Sequence, residues 1–199
     1  MHNGNVYTLT NKSYPQSPPN YKGRFSNGKV WIEYLAMKYQ ANLIDKAFGY
    51  ATSEYTNNEI DPSVVISSLI YSASQLVNNL EPRIILFPTI PLLPNSTQNS
   101  TFTNHNKILK NSLDSFSAEN PDVEVFLYPF DEVLLKFRKS ADLKEKLNIT
   151  NIFNNCTSYA DASNVCENPE NYMLWDEVHL TTKVYEYIAN DVYNRLICL

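Results

Sequence analysis

An α/β fold with a parallel sheet is predicted for this chain of 199 residues, and three observations predict it. Helix-type and strand-type apolar runs alternate along the sequence. The strand runs are short and continuous, as in strands buried on both faces, and no repeat or linker-like stretch divides the chain. A single domain over residues 1–199 is the matching organisation. Hydrophobic residues make up 43% and charged residues 19%, which supplies a core and excludes a disordered chain.

Residues 1–28 are polar, rich in Tyr and Pro, and without periodicity. Asn27-Gly28 precedes an apolar spacing over Val30–Ala36 that predicts a helix to about Tyr39, with Asn27 as its cap. A strand is expected near Leu43. Asp61-Pro62 pairs an N-cap with proline in the first turn, a strong helix start. From it Val65, Ile66, Leu69, Ile70, Ala73, Leu76, Val77 and Leu80 recur at three- and four-residue spacing. Pro82 ends that helix, and Arg83–Phe87 reads as a strand covered on both faces. Ile108, Leu109, Leu113 and Phe116 mark the next helix, Val123–Tyr128 the next strand, and Glu132–Lys139 a short helix. The last helix starts at about Thr182 and carries Tyr185, Ile188, Ala189, Val192 and Leu196 on one face.

Composition excludes several functions. A net charge of −5 and a pI near 5.2 oppose a nucleic-acid partner, which demands clustered Lys and Arg. With only four glycines, no G-x-G-x-x-G, no P-loop and no G-x-S-x-G elbow is present. Three histidines, and no Cys/His cluster with zinc spacing, leave no metal site to expect, and no organic cofactor is implied. No apolar run has the roughly 18 residues of a membrane span, and residues 1–5 show no signal peptide. Oligomeric state is not encoded in anything legible here.

Two features bear on compartment. Cys156 and Cys166 lie ten apart in a polar stretch, a spacing that suits a loop-closing disulfide and equally admits two reduced thiols, with Cys198 left over. Five N-x-S/T sequons begin at Asn11, Asn95, Asn99, Asn148 and Asn155. Of these Asn95 and Asn99, in a polar loop after Pro91 and Pro94, are the better glycan acceptors. Together they favour a secreted protein.

The chemistry concentrates in Trp175-Asp176-Glu177-Val178-His179-Leu180-Thr181-Thr182, just before the last helix. An aspartate three residues before a histidine accepts its ring N–H and fixes the tautomer, leaving the other nitrogen to act as general base toward a hydroxyl. The plain alternative is a helix-entry loop whose Asp and His face solvent.

Context favours the first reading. The stretch from Cys166-Glu167-Asn168-Pro169 through Trp175-Asp176-Glu177-Val178-His179-Leu180-Thr181 resembles the C-terminal block of secreted GDSL (SGNH-type) lipases and esterases, which carries the Asp and His of their triad. Tyr21-Lys22-Gly23-Arg24-Phe25-Ser26-Asn27-Gly28-Lys29-Val30-Trp31 independently resembles that family's G-R-F-S-N-G-x-x-W segment. Gly4-Asn5 is similar to the G-N after its nucleophile block, and Ala47-Phe48-Gly49-Tyr50-Ala51-Thr52 to its A-x-G-G-A-T block. The resemblance implies a flavodoxin-like three-layer sandwich with a parallel sheet. It implies hydrolysis of carboxylic esters, with a small ester or an acylated polysaccharide as substrate, His179 as general base, Asp176 as its orienter and Gly49 beside the oxyanion.

The departures from the family pattern are as informative. The nucleophilic serine of the family sits in a G-D-S block that would fall before Met1, and its G-x-N-D block should lie between Thr52 and Asp61, where none is found. Tyr50 replaces the second glycine of the oxyanion block, which loses positive-φ freedom. Ser26, Ser53 and Ser163 have nothing to mark them as substitutes. The expectation is an incomplete α/β sandwich, inactive by itself, whose missing central strands leave apolar edges. A second reading, from another class, is a non-catalytic carbohydrate- or ester-binding relative that keeps Trp31, Trp175 and the Asp176/His179 pair.

Overall fold

Backbone preferences written into the sequence start and stop most of the elements. The computed structural model describes residues 4–47, 61–92, 99–158, 161 and 163–198. By chain contacts it divides into two compact units, Met1–Ala51 with Phe137–Leu199, and Thr52–Lys136.

In the second unit the chain turns from helix to strand at a well-marked boundary. Helix α3 spans Pro62–Leu80, where α1 and α2 are the earlier helices Gly4–Leu9 and Trp31–Lys38. The Asp61 carboxylate accepts the Ser63 N–H at 2.8 Å, which also holds that carboxyl below its ordinary range, and Pro62 occupies the first turn. Glu81, in the left-handed region at φ 47, ends the helix before Pro82. Strand β1 (Ile84–Pro88) then pairs in parallel with β2 (Glu124–Tyr128), Ile85 opposite Val125 and Phe87 opposite Leu127. Helix α4 (Asn99–Glu119) connects them and packs on both α3 and β2. Ile66, Ala73, Ile85, Phe87, Leu109, Leu113, Phe116 and Val123 form the core of this unit.

Two expectations are corrected here. Only Ile66, Ile70, Ala73 and Val77 of the α3 stripe face that core, while Leu69, Leu76 and Leu80 stand exposed. Strand β1 is covered mainly on one face: Ile85 and Phe87 are buried, but Ile84 is 45% exposed. A two-stranded sheet offers too little area to cover both faces of a strand and both sides of its helix. Mixed α/β architecture with short parallel pairs is what the described residues show.

At the ends of β1 and β2 a polar knot closes the turn after β1. Asn106 accepts the Ile90 N–H at 2.7 Å and donates to the Ile90 carbonyl at 2.8 Å and the Asp131 carboxylate at 3.3 Å. The Thr89 hydroxyl donates to Asp131 at 2.6 Å. His105, next to Asn106, is buried, and burial lowers its pKa despite the Asn106 contact, which acts the other way. Neutral imidazole is therefore the folded form. The unfolded chain takes up this proton near pH 6.5 while the folded one resists, so stability from this site is complete above that value and declines as pH falls below it. Urea midpoints measured from pH 7.5 to 5 are expected to fall less steeply for His105→Gln than for the natural chain. Equal slopes would show that another group controls acid sensitivity.

In the first unit, α2 packs along α7 (Thr182–Leu196), which buries Val184, Tyr185, Ile188, Ala189 and Val192, and burial pushes the Tyr185 hydroxyl up. Helix α5 (Phe130–Lys139) follows β2, begins in the second unit and ends in the first, and α6 (Ala141–Lys146) comes after it. Strand β3 (Asn151–Asn155) pairs in parallel with β4 (Tyr172–Leu174), two strands the sequence did not announce. β3 is Asn-rich and β4 is only three residues long, so neither offers the run by which strands are recognised. Residues 41–47 form no strand, which corrects the expectation near Leu43. Among the described residues no helix is long and apolar enough to cross a membrane.

Candidate active site

The turn between β4 and α7 is built by its own backbone. Trp175 N–H donates to the His179 carbonyl at 2.8 Å, Thr181 N–H to the Met173 carbonyl at 3.1 Å, and Leu174 bridges Leu180 antiparallel. The Thr181 hydroxyl adds a bond to the Tyr172 carbonyl at 2.7 Å. This closed turn brings two side chains three positions apart into contact. Asp176 Oδ2 and Oδ1 lie 2.8 and 2.9 Å from His179 Nδ1. Asp176 Oδ1 also accepts the backbone N–H groups of Val178 at 3.0 Å and His179 at 2.7 Å.

These bonds explain how a carboxylate tolerates burial. Asp176 is 2% and His179 6% exposed, so neither is the solvent-facing residue of the plain alternative. An unpaired buried carboxylate would be costly, whereas several N–H donors and an imidazole N–H stabilise it. With Nδ1–H donating to Asp176, Nε2 is the basic nitrogen of the ring.

The second sequence segment singled out above forms the socket for this turn. The Phe25 ring stacks on the His179 imidazole, centroids 4.9 Å apart and planes within 10°. The Ser26 hydroxyl, fully buried, donates to the Leu180 carbonyl at 3.0 Å. Asn27 Oδ1 accepts the Thr182 N–H at 2.8 Å, and the Thr182 hydroxyl donates to the Lys29 carbonyl at 2.8 Å. Tyr34 Oη is 2.8 Å from the Thr182 hydroxyl oxygen, and Trp175 Nε1 donates to Asn20 at 2.8 Å.

Asn27 is thus not the cap of α2, as the sequence led one to expect. Val30 occupies that position, its N–H accepted by Glu33 at 3.0 Å, while Asn27 caps α7 across the fold. Residues adjacent in sequence suggested the nearer helix, and only the tertiary contact identifies the true one. Asn20, Phe25 and Tyr34 are site residues that sequence reasoning missed. The signal was the co-occurrence of two motifs in one chain.

Other candidates divide cleanly. Ser26 is a buried structural hydroxyl, and Ser163 donates its N–H to Asp161 on the surface. Gly49, Ser53 and Asn95 lie outside the described residues. Asn99 is the first residue of α4 and only partly exposed. Cys156 and Cys166 are joined in a disulfide, and Cys198 is a free, exposed thiol. Trp175 is 1% exposed and hydrogen-bonded inside, so it offers no platform for a sugar ring. Among the described residues no group of three or more His, Cys, Asp or Glu is arranged to hold a metal ion.

No family model matches the chain. Among curated proteins it is 35% identical over 77 residues to the phosphatidylcholine-sterol acyltransferase of Aeromonas hydrophila, an alignment covering 37% of this chain and 23% of that protein. It is 31% identical over 102 residues to a GDSL esterase/lipase of Arabidopsis thaliana, covering 47% of this chain and 32% of the relative. The chain therefore spans about a quarter to a third of the length of these relatives. One of these relatives is named an acyltransferase and the other a GDSL esterase/lipase.

Proposed function

We propose that this chain carries the acid–base half of a GDSL-type carboxylic-ester hydrolase within a single SGNH domain, and the buried Asp176–His179 pair is the observation that carries the reading. His179 Nε2 would take the proton of a serine hydroxyl as it attacks the ester carbonyl, then return it to the departing alcohol. Asp176 would hold the ring in the required tautomer and stabilise the imidazolium that forms. No G-D-S occurs in these residues, so the serine would come from a segment preceding them and the chain by itself would not turn over. Gly49 would lie near the oxyanion. The relatives' names support an acyl ester as substrate; in this proposal it is small or carried on a polysaccharide.

Secretion fits the Cys156–Cys166 disulfide, because such bonds persist in oxidising compartments. Asn11 and Asn148 are exposed and outside regular elements, which makes them better placed glycan acceptors than Asn99.

The test is hydrolysis of p-nitrophenyl acetate by the natural gene product, with its transcript sequenced in full. A G-D-S block is expected upstream, with activity that falls by roughly 10³–10⁶ in kcat for His179→Ala and by about 10⁴ for Asp176→Asn. A transcript without that block, or hydrolysis indifferent to both changes, would overturn the proposal. Capture on an immobilised polysaccharide without hydrolysis, undiminished in His179→Ala, would point to the binding relative instead.

A further inference from the structure

We infer that Phe25 is a positioning residue for His179, an assignment that rests on reading His179 as the general base. The two Asp176 oxygens fix where Nδ1 sits, but a contact at one ring atom leaves the imidazole able to tilt about it. The Phe25 face, parallel to the imidazole within 10°, removes that freedom by fixing the plane of the ring. Position and plane together set the direction in which Nε2 points, which is the geometry proton transfer depends on. The stack also suits the change of charge during reaction. An imidazolium above the negative face of a phenyl ring is attracted to it, so the contact strengthens when the proton is taken up.

Phe25 is itself firmly held. It is 7% exposed, it forms a T-shaped pair with the Tyr14 ring at 5.7 Å between centroids, and its neighbours on both sides are tied down. Arg24 pairs with Glu33 at 3.0 Å, and Ser26 bonds the carbonyl of Leu180, the residue after His179. An aliphatic side chain would fill part of the volume but offer no flat surface. The inference is therefore about ring shape and not only about packing.

Nuclear magnetic resonance of the 199-residue chain reads this without any turnover. With three histidines in the chain, the His179 signals are identified by their loss in His179→Ala. In the natural chain the His179 ring protons are expected upfield of a free imidazole, displaced by the Phe25 ring current, together with a low-field Nδ1 proton bonded to Asp176. Phe25→Leu is expected to abolish the displacement and to speed exchange of the Nδ1 proton roughly three- to tenfold, while Phe25→Tyr restores both.

Ordinary ring-proton positions in the natural chain would overturn the inference. So would unchanged Nδ1 exchange in a Phe25→Leu variant whose backbone spectrum stays native. If Phe25→Leu does not fold, the natural chain and Phe25→Tyr still decide the matter. The two readings fail separately: a natural product that hydrolyses esters without the stacking signature removes the role of Phe25. The signature without hydrolysis removes the esterase.

Discussion

Gly28→Ala is expected to destabilise the chain strongly. A Cβ built on Gly28 would lie 2.5 Å from the Thr182 hydroxyl oxygen, 2.7 Å from its Cβ and 2.9 Å from its methyl carbon. Thr182 cannot step aside. It is the first residue of α7, its Cβ is fixed by the helix backbone, and its hydroxyl is engaged with the Lys29 carbonyl and Tyr34. Relief requires the turn at 26–30 to withdraw from α7, which breaks the Asn27–Thr182 and Ser26–Leu180 bonds. Overpacking of this kind costs about 1–3 kcal/mol, and each lost hydrogen bond adds about 1 kcal/mol. A loss of roughly 3 kcal/mol is expected from the urea midpoint, with faster proteolysis near residue 28. Even the sign is informative, because Gly→Ala at a compatible site stabilises by about 0.4–1 kcal/mol. A stabilised variant would mean that the turn and α7 do not meet so closely.

Removing the disulfide, by Cys156→Ala with Cys166→Ala, is expected to cost about 3 kcal/mol, the loop-closure value for a bridge between residues ten apart. The effect should reach beyond the loop itself. The Cys156 N–H donates to the Leu174 and Trp175 carbonyls at 3.1 and 3.0 Å, and the Thr157 N–H to Trp175 at 2.8 Å. The bridge thereby secures the strand that supports the turn bearing Asp176. Hydrogen exchange is expected to rise at Trp175 and His179 as well as in the loop. Protection unchanged at those two amides would confine the disulfide's role to the loop.

Legibility in the sequence followed from how local the cause was. Helix α3 could be read from Asp61-Pro62 at one end and Pro82 at the other, because caps and proline act within a turn. The parallel pairing of Ile84–Phe87 with the 124–128 strand could also be read, since both are continuous apolar runs joined by a helix. By contrast β3 is Asn-rich and β4 only three residues long, so their pairing rests on tertiary support, and nothing in Asn151–Asn155 advertises a strand. Asp176 and His179 were visible through the block of residues around them, because three residues of spacing fit a solvent-facing loop equally well. Phe25, Asn20 and the true role of Asn27 were not, because each acts on a partner about 155 positions away.

That separation sets when the site comes into being. A ribosome delivers residues 20–34 well before 172–182, so the socket waits unfilled while the residues between them are made. Loop closure over such a span is entropically costly and slow compared with local helix formation. The imidazole acquires its fixed orientation only when both segments are present and docked. Any chain released before residue 179 carries the brace without the base.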